Sequence, residues 1–156
     1  MKTTLLLTGK TTDKHVAALL DDYAARIKRY MPFNATVIPE PKNGGNMSAQ
    51  QVKEHEGAAI MRHIEPADHV ALLDERGREP SSRELAAWLQ RRQMEGRRLV
   101  LVIGGPYGFS RQVYDRADER LSLSRLTFPH QLVRLIFTEQ LYRACTILKG
   151  EPYHHD

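Results

Sequence analysis

The chain has 156 residues and a mass of 17.9 kDa, the size of a single domain. Apolar residues make up 41% of it and charged residues 27%, ordinary globular values that exclude an intrinsically disordered protein. The net charge of +4 permits a nucleic acid as partner without requiring one. The single cysteine excludes an internal disulfide framework, and the histidines have no metal-ligand spacing. No apolar run is long enough for a membrane span or a signal peptide, so we expect a soluble, cytoplasmic protein without a metal.

In its first half the chain alternates short apolar segments with amphipathic ones. The pattern predicts, in chain order, a strand over 3–7, a helix from an N-cap at Thr12 or Asp13 to about 30, a strand over 33–38, a loop over 39–46, and a helix from Ser48 to about 63. Ser48 and Gln51 form a capping box, which is typical of a helix start.

The second half continues the alternation. The pattern predicts a strand over 69–74, a break at Gly77 and Pro80, a helix from Ser81 or Ser82 to about 94, a strand over 98–103, a short helix near 110–117, a strand of alternating Leu and Ser over 120–126, and a last helix over 130–149. The six residues after Gly150 would by default form a frayed terminus.

Helices of this length between apolar strands predict an α/β fold, a mostly parallel sheet with helices on both faces, as one domain over residues 1–156. Ligands of such sheets bind at the carboxyl ends of the strands. Three unusual loops follow predicted strands, after Asp74, after Ile103 and after Leu126. We therefore expect these loops to meet at one ligand site.

The loop after Ile103 reads Gly104-Gly105-Pro106-Tyr107-Gly108. It lacks the glycine spacing of the dinucleotide fingerprint and the Gly-Lys-Ser/Thr of the P-loop, which argues against a nicotinamide-dependent oxidoreductase and an NTPase. Two interpretations stay open. The glycines form a tight strand-to-helix turn, or they form a wall for a flat ligand, such as an adenosine group, that main-chain atoms recognise.

The last predicted helix is apolar on more than one side, which predicts that it is buried on opposing faces. In so small a chain the second cover could be another subunit related by a two-fold axis. Within this helix, Glu139 and Arg143 are spaced for a helical salt bridge, and Cys145 is expected to be an inert core thiol. His130, at its start, is typical of a capping or surface histidine.

Taken together, several segments resemble one known family. They are Leu72-Leu73-Asp74-Glu75-Arg76-Gly77-Arg78, Ile103-Gly104-Gly105-Pro106-Tyr107-Gly108, the run from Leu123 to Arg134 with its Thr127-Phe128-Pro129-His130, Glu139-Gln140-Leu141-Tyr142-Arg143-Ala144, and Pro152-Tyr153-His154. In this order they are similar to the RlmH family, the bacterial 23S ribosomal RNA pseudouridine-N3 methyltransferases of the SPOUT superfamily. The resemblance implies a C-terminal trefoil knot, a homodimer, S-adenosylmethionine as methyl donor, and a pseudouridine in the intersubunit stem-loop of 23S rRNA as target, on the assembled ribosome.

The resemblance also implies roles for particular residues. Contacts to the methyl donor, many through the main chain, fall on Leu73, Gly104, Leu123, Ser124, Arg125, Leu126, Thr127 and Phe128. Candidates for catalysis are Arg143, Tyr153 and His154, with the tail reaching the cofactor of the partner subunit; Arg134 and Arg143 would hold RNA or the interface. No metal is implied.

One position departs from the family pattern. Tails of the family commonly carry Arg or Lys after the Tyr-His pair, whereas this chain has His155. Since a histidine is only partly charged near neutral pH, phosphate binding by the tail would depend on pH. A non-catalytic ribosome-associated module on the same scaffold is the alternative function, although the intact glycine turn and Tyr-His tail argue against it.

Overall fold

A computed structural model describes residues 2–156 and contains five strands and five α-helices. The strands are β1 (Thr3–Thr8), β2 (Phe33–Ile38), β3 (His69–Arg78), β4 (Leu99–Ile103) and β5 (Glu119–Leu121). The helices are α1 (Lys14–Ile27), α2 (Ala49–Arg62), α3 (Ser82–Met94), α4 (Arg111–Arg116) and α5 (His130–Leu148). A single 3-10 turn, Gly44–Asn46, lies in the predicted loop.

The strands form one sheet in the order β2-β1-β4-β3-β5, and every pair is parallel. The predicted α/β architecture is thereby confirmed. In the central register, Leu7 of β1 and Leu73 of β3 both lie opposite Ile103 of β4. The carboxyl ends of the three middle strands therefore lie level with one another, and the loops that follow them meet at one edge.

Two apolar clusters cover the two faces of the sheet. Side chains of alternating strand positions point to opposite faces, so Leu5 and Leu7 join one cluster while Leu6 joins the other. The first cluster packs under α1, α3 and α5, with Trp88 and Phe137 among its largest members. The second packs under α2 and α4. The result is three layers, with the sheet in the middle.

Local sequence explains where the helices begin. Asp13 accepts hydrogen bonds from the amides of His15 and Val16, and the Ser48 capping box is present as predicted. Of the two serines that could cap α3, Ser81 does so, through a second capping box with Glu84. No helix within residues 2–156 is both long and apolar enough to cross a membrane.

The prediction of a strand over 120–126 is wrong beyond Leu121, where β5 ends. The Ser122 hydroxyl donates to the carbonyl of Ser124 over 3.0 Å, and the amide of Leu126 donates to the Ser124 hydroxyl over 3.0 Å. Serine side chains that bond to nearby main chain compete with a strand ladder, which period-2 alternation alone does not reveal. Residues 122–128 therefore form an irregular segment beside the sheet edge.

The predicted break at Gly77 is also wrong, because β3 continues to Arg78. A Cβ at Gly77 would lie 2.7 Å from main-chain atoms of Arg120 and Leu121, so glycine allows the two chains to approach closely. The register between β3 and β5 shifts between Leu73 and Arg78. The end of β3 thus extends past the ends of its neighbouring strands and forms one wall of a cavity.

Candidate active site

A cavity of about 510 Å³ lies at the carboxyl ends of β3 and β4. Its walls are the end of β3 with the residues that follow Leu73, the glycine turn over 104–108, and the irregular segment over 122–128. The three loops that the sequence predicted to converge do converge, which confirms that expectation. The cavity is open at the surface, and its lining is both polar and apolar.

Seven of the eight residues expected to contact a methyl donor line this cavity: Leu73, Gly104, Leu123, Ser124, Leu126, Thr127 and Phe128. The eighth, Arg125, has a side chain that is 90% exposed and lies 3.9 Å from the carboxylate of Glu79. The side chain of Arg125 is outside the cavity lining, so any contact at this position would involve its main chain.

The glycine turn is shaped by close packing. A Cβ at Gly104 would lie 2.8 Å from the ring of Phe109, a buried member of the core under α2. Gly105 and Gly108 pair across the turn, with the amide of Gly108 donating to the carbonyl of Gly105 over 3.1 Å. Gly108 has φ +83°, a conformation that favours glycine. The interpretation as a tight turn is confirmed, and the same turn lines the cavity.

A polar rim that the sequence did not predict borders the cavity on its β3 side. The hydroxyl of Tyr114 donates to Asp74 over 2.6 Å, and the guanidinium of Arg120 lies 4.3 Å from the Tyr114 ring centre. Burial, together with the bond to Asp74, raises the pKa of Tyr114 to about 12. Asp74 ends a predicted strand, a position that indicates a site residue. No pattern in the sequence indicated that Tyr114 would lie at the site.

His130 and Arg134 occupy the first turn of α5, at the edge of the cavity. Burial, with the charge of Arg134, lowers the pKa of His130, so the ring is neutral near neutral pH. Arg134 is fully buried and donates to the carbonyls of Thr8 and Gly9 over 2.5 and 2.7 Å. The expectation that Arg134 holds RNA or an interface is therefore wrong, because its guanidinium anchors the loop after β1.

The three residues expected to serve catalysis form one cluster, in which Tyr153 and His154 of the tail pack against Arg143 of α5. The guanidinium of Arg143 lies 4.8 Å from the ring centre of Tyr153, and its Nη1 lies 3.1 Å from Nδ1 of His154. Arg143 also donates to Glu139 over 2.8 Å, which confirms the predicted salt bridge. Tyr153 packs edge-on against Tyr142 at 4.8 Å. The default of a frayed terminus is thus wrong for Tyr153 and His154, whose side chains are half-buried.

The cluster is distant from the cavity of its own chain. His130 and Val133, at the start of α5, line the cavity. At about 1.5 Å per residue, Arg143 lies about 20 Å beyond His130 and about 15 Å beyond Val133 along the helix. None of Arg143, Tyr153 and His154 belongs to the cavity lining. The structure therefore brings the donor-contact residues together and the catalytic candidates together, but in two separate places.

Comparison with known families places the chain in one of them. The family described as "Predicted SPOUT methyltransferase" matches residues 1–154. The chain belongs to the SPOUT methyltransferase family. In this SPOUT methyltransferase, the family segments that follow the strands line the cavity. The segments on α5 and in the tail form the Arg143 cluster. Within residues 2–156, no three His, Cys, Asp or Glu side chains gather as a metal site.

Full-length relatives of this SPOUT methyltransferase carry one name. Proteins named "Ribosomal RNA large subunit methyltransferase H" are 49% identical in Bacteroides fragilis, 51% in Phocaeicola vulgatus and 50% in Porphyromonas gingivalis, each over 100% of both chains. Among solved structures, a probable methylase family protein from Haemophilus influenzae Rd KW20 has a TM-score of 0.55 at 10% identity. The match covers 95% of this chain and 66% of that one, and it supports the fold alone.

Proposed function

We propose that this protein transfers a methyl group from S-adenosylmethionine to N3 of a pseudouridine in the intersubunit stem-loop of 23S rRNA, on the assembled ribosome in the cytoplasm. The observation that carries the proposal is the cavity at the strand ends, in a chain that belongs to a methyltransferase family. The relatives named as large-subunit rRNA methyltransferases, about half identical over their full length, support RNA as the substrate. The proposal also includes a C-terminal trefoil knot, on the resemblance.

The cavity fits the proposed methyl donor. Its volume of about 510 Å³ is in the range of small-molecule sites. Gly104 and Gly105 place main chain rather than side chains on one wall, which suits a flat adenosine group, and Leu123, Leu126 and Phe128 add apolar surface. When bound, S-adenosylmethionine supplies a methyl group activated by its sulfonium charge.

The residues of the chain would then position the target base and stabilise the anion that it forms. N3 of pseudouridine must lose its imide proton before it becomes a nucleophile, and a nearby cation favours the anion that forms. Arg143 supplies that cation. Nε2 of His154 bonds to Asp156 over 2.5 Å, so the imide proton goes to Nδ1, which exchanges its 3.1 Å contact with Arg143 for the base. Burial, together with a hydrogen bond to Tyr23, raises the pKa of Tyr153, so its phenol stays protonated and orients the base. Correct positioning of the two reactants contributes about 7–11 kcal/mol in favourable cases.

The separation of the cluster from its own cavity supports a homodimer in which each tail serves the partner's cavity. A span of about 15 Å along α5, from Val133 in the lining to Arg143, is too far for Arg143 to reach a ligand in the cavity of the same chain. Apolar side chains also remain exposed on the paired helices α1 and α5, with Leu19 47% and Leu132 38% exposed. A two-fold interface over these helices would cover them and bring the two sites together.

A mixed dimer tests this arrangement. One parent chain carries Gly104→Val, with a damaged cavity and an intact tail, and the other ends after Gly150, with an intact cavity and no tail. Each parent alone should be inactive. After co-refolding, about a quarter of wild-type activity should return, because random mixing makes half of the dimers mixed and each of these has one working site. No recovery, although mixed dimers are isolated by two affinity tags, would place the tail and cavity of one site in the same chain.

The substrate is tested in cells and in solution. Mass mapping of rRNA from cells lacking this protein should show one methyl group missing from a pseudouridine of the large-subunit RNA, and a plasmid copy should restore it. Purified protein should then methylate assembled ribosomes from the deletion strain faster than the free rRNA extracted from them. An unchanged methylation map would contradict the proposal.

A further inference from the structure

Glu56 is a buried carboxyl that the proposed chemistry does not use. It lies on α2, is 5% exposed, and its Oε1 has no hydrogen-bond partner within residues 2–156. Leaving a buried polar oxygen unpaired costs about 1–3 kcal/mol, and a buried carboxylate costs more. The buried carboxyl of Glu56 therefore indicates a role beyond packing.

The carboxyl of Glu56 lies directly behind the glycine turn. A Cβ at Gly105 would be 2.7 Å from each of the two carboxyl oxygens of Glu56. Gly105 lines the cavity and Glu56 does not, so the turn separates the carboxyl from the space for a ligand. The next residue of α2, Gly57, packs on Ser110 at the far end of the same loop, where a Cβ would lie 2.2 Å from the serine hydroxyl. Helix α2 thus supports the turn at both ends.

The charges around Glu56 favour its neutral form. Burial is the main cause of its raised pKa, and the negative charge of Glu40, in the loop after β2, adds to it. Glu40 lies against Gly9, and its charge acts also on Arg134 and His130 of α5. No arginine, lysine or histidine forms an ion pair or hydrogen bond with Glu56 in the described chain. Lys53, one helical turn before it, lines the cavity instead.

We infer that Glu56 is a positioning residue for methyl-donor binding: its buried carboxyl, packed behind Gly105, holds the Gly104–Gly105 turn in the conformation that contacts the donor. The inference rests on the proposed use of the cavity for S-adenosylmethionine. A neutral carboxyl packs against the Cα of Gly105 without a cost for buried charge. Ionisation would place an unpaired charge behind the turn, and the turn would move to admit water.

The consequence is a proton linkage that a purely structural role would not produce. If the donor binds the form with neutral Glu56, its affinity falls as the pH rises through the pKa of that carboxyl, by up to about tenfold for each pH unit. Glu56→Gln keeps the shape and removes the titration. The variant should bind S-adenosylhomocysteine as wild type does at the acidic end of the range, and it should keep that affinity at alkaline pH.

The experiment is calorimetric titration of the full-length wild type, Glu56→Gln and Glu56→Ala with S-adenosylhomocysteine, from mildly acidic to alkaline pH. The ligand has its own ionisable groups, which affect all three proteins equally, so the comparison of profiles isolates Glu56. We expect the affinity of wild type to fall as the pH rises, and that of Glu56→Gln to fall much less over the same range. Glu56→Ala should bind more weakly than wild type at every pH. Parallel profiles for wild type and Glu56→Gln would overturn the inference.

A second pair of variants tests the contact itself. Gly105→Ala adds a methyl group that collides with the carboxyl and should weaken binding. Combining it with Glu56→Ala removes the colliding group and should restore part of the affinity, whereas combining it with Glu56→Gln should not. Equal effects of both combinations would overturn the inference. If wild type binds no S-adenosylhomocysteine at any pH, the proposed function itself fails, and that result is distinct from each of the others.

Discussion

Nδ1 of His154 lies 3.1 Å from Nη1 of Arg143, and this contact joins the C-terminal tail to the middle of α5. The same guanidinium lies over the Tyr153 ring and bonds to Glu139. Arg143 therefore connects Glu139, one helical turn before it, with Tyr153 and His154 of the tail, and the four side chains form one unit in space. The first two predictions concern this unit.

Removing the tail should separate catalysis from donor binding. A chain that ends after Gly150 loses the packing of Tyr153 on Tyr142 and the 2.7 Å bond from Tyr30 to Glu151, so we expect a loss of about 1–2 kcal/mol of unfolding free energy. Binding of S-adenosylhomocysteine should be largely unchanged, while methyl transfer to ribosomes should disappear. Urea unfolding, calorimetry and a methyl-transfer assay measure the three quantities, and normal turnover by the shortened chain would refute the role of the tail.

Arg143→Gln should lower the rate of methyl transfer about 100-fold with little effect on donor affinity, because the cation is needed only where the imide anion develops. Removing the guanidinium leaves the mostly buried Glu139 without its partner, so we also expect a loss of about 1–3 kcal/mol of unfolding free energy, which urea unfolding measures. The measurement is kcat with ribosomal substrate alongside calorimetry with S-adenosylhomocysteine. Arg91→Gln, at an exposed position of α3, is the matched control for loss of one positive charge; an equal decrease in both variants would indicate a general electrostatic effect.

Gly104→Val should abolish donor binding. Its Cβ would begin 2.8 Å from the Phe109 ring, so the turn must shift, and overpacking of this kind costs about 1–3 kcal/mol. Calorimetric titration and thermal unfolding measure the two effects. Gly45→Val is the control, since a Cβ there meets nothing within 4 Å. Unchanged affinity in the Gly104 variant would remove this turn from the site.

Stability should depend on His130 at acidic pH. Burial, and then the charge of Arg134, lowers the pKa of this histidine in the folded state, so the unfolded chain binds the proton more strongly. Its contribution is therefore complete at neutral pH and is lost as the pH falls below about 6.5, the ordinary value of an unfolded histidine. Urea unfolding at a series of pH values should show a shallower acidic decline for His130→Gln than for wild type.

The control for that series is His15→Gln, at an exposed position of α1, which should decline in parallel with wild type. A decline in the His130 variant as steep as that of wild type would show that other groups dominate acid unfolding.

Local chemistry in the sequence determined most of the fold. Periodicity and the capping box at Ser48 placed the helices, and apolar runs placed four strands. These signals work because caps, turns and alternation act over a few neighbouring residues. The alternation of β strands with helices also determined that the sheet is parallel, and hence that a ligand site lies at the carboxyl ends of its strands.

Only the tertiary structure decided the rest, because those features depend on chain segments that meet from distant positions. The approach of Arg120 to Gly77 extends β3, although glycine favoured a break. The bonds of Ser122 and Ser124 that end β5 are local, but Leu-Ser alternation gives no sign of them. Arg134 was predicted to bind RNA or an interface, but in the fold it is buried and bonds to the loop after β1. Glu56 became a candidate only when α2 packed behind the glycine turn, since burial of a carboxyl is a property of its neighbours in space.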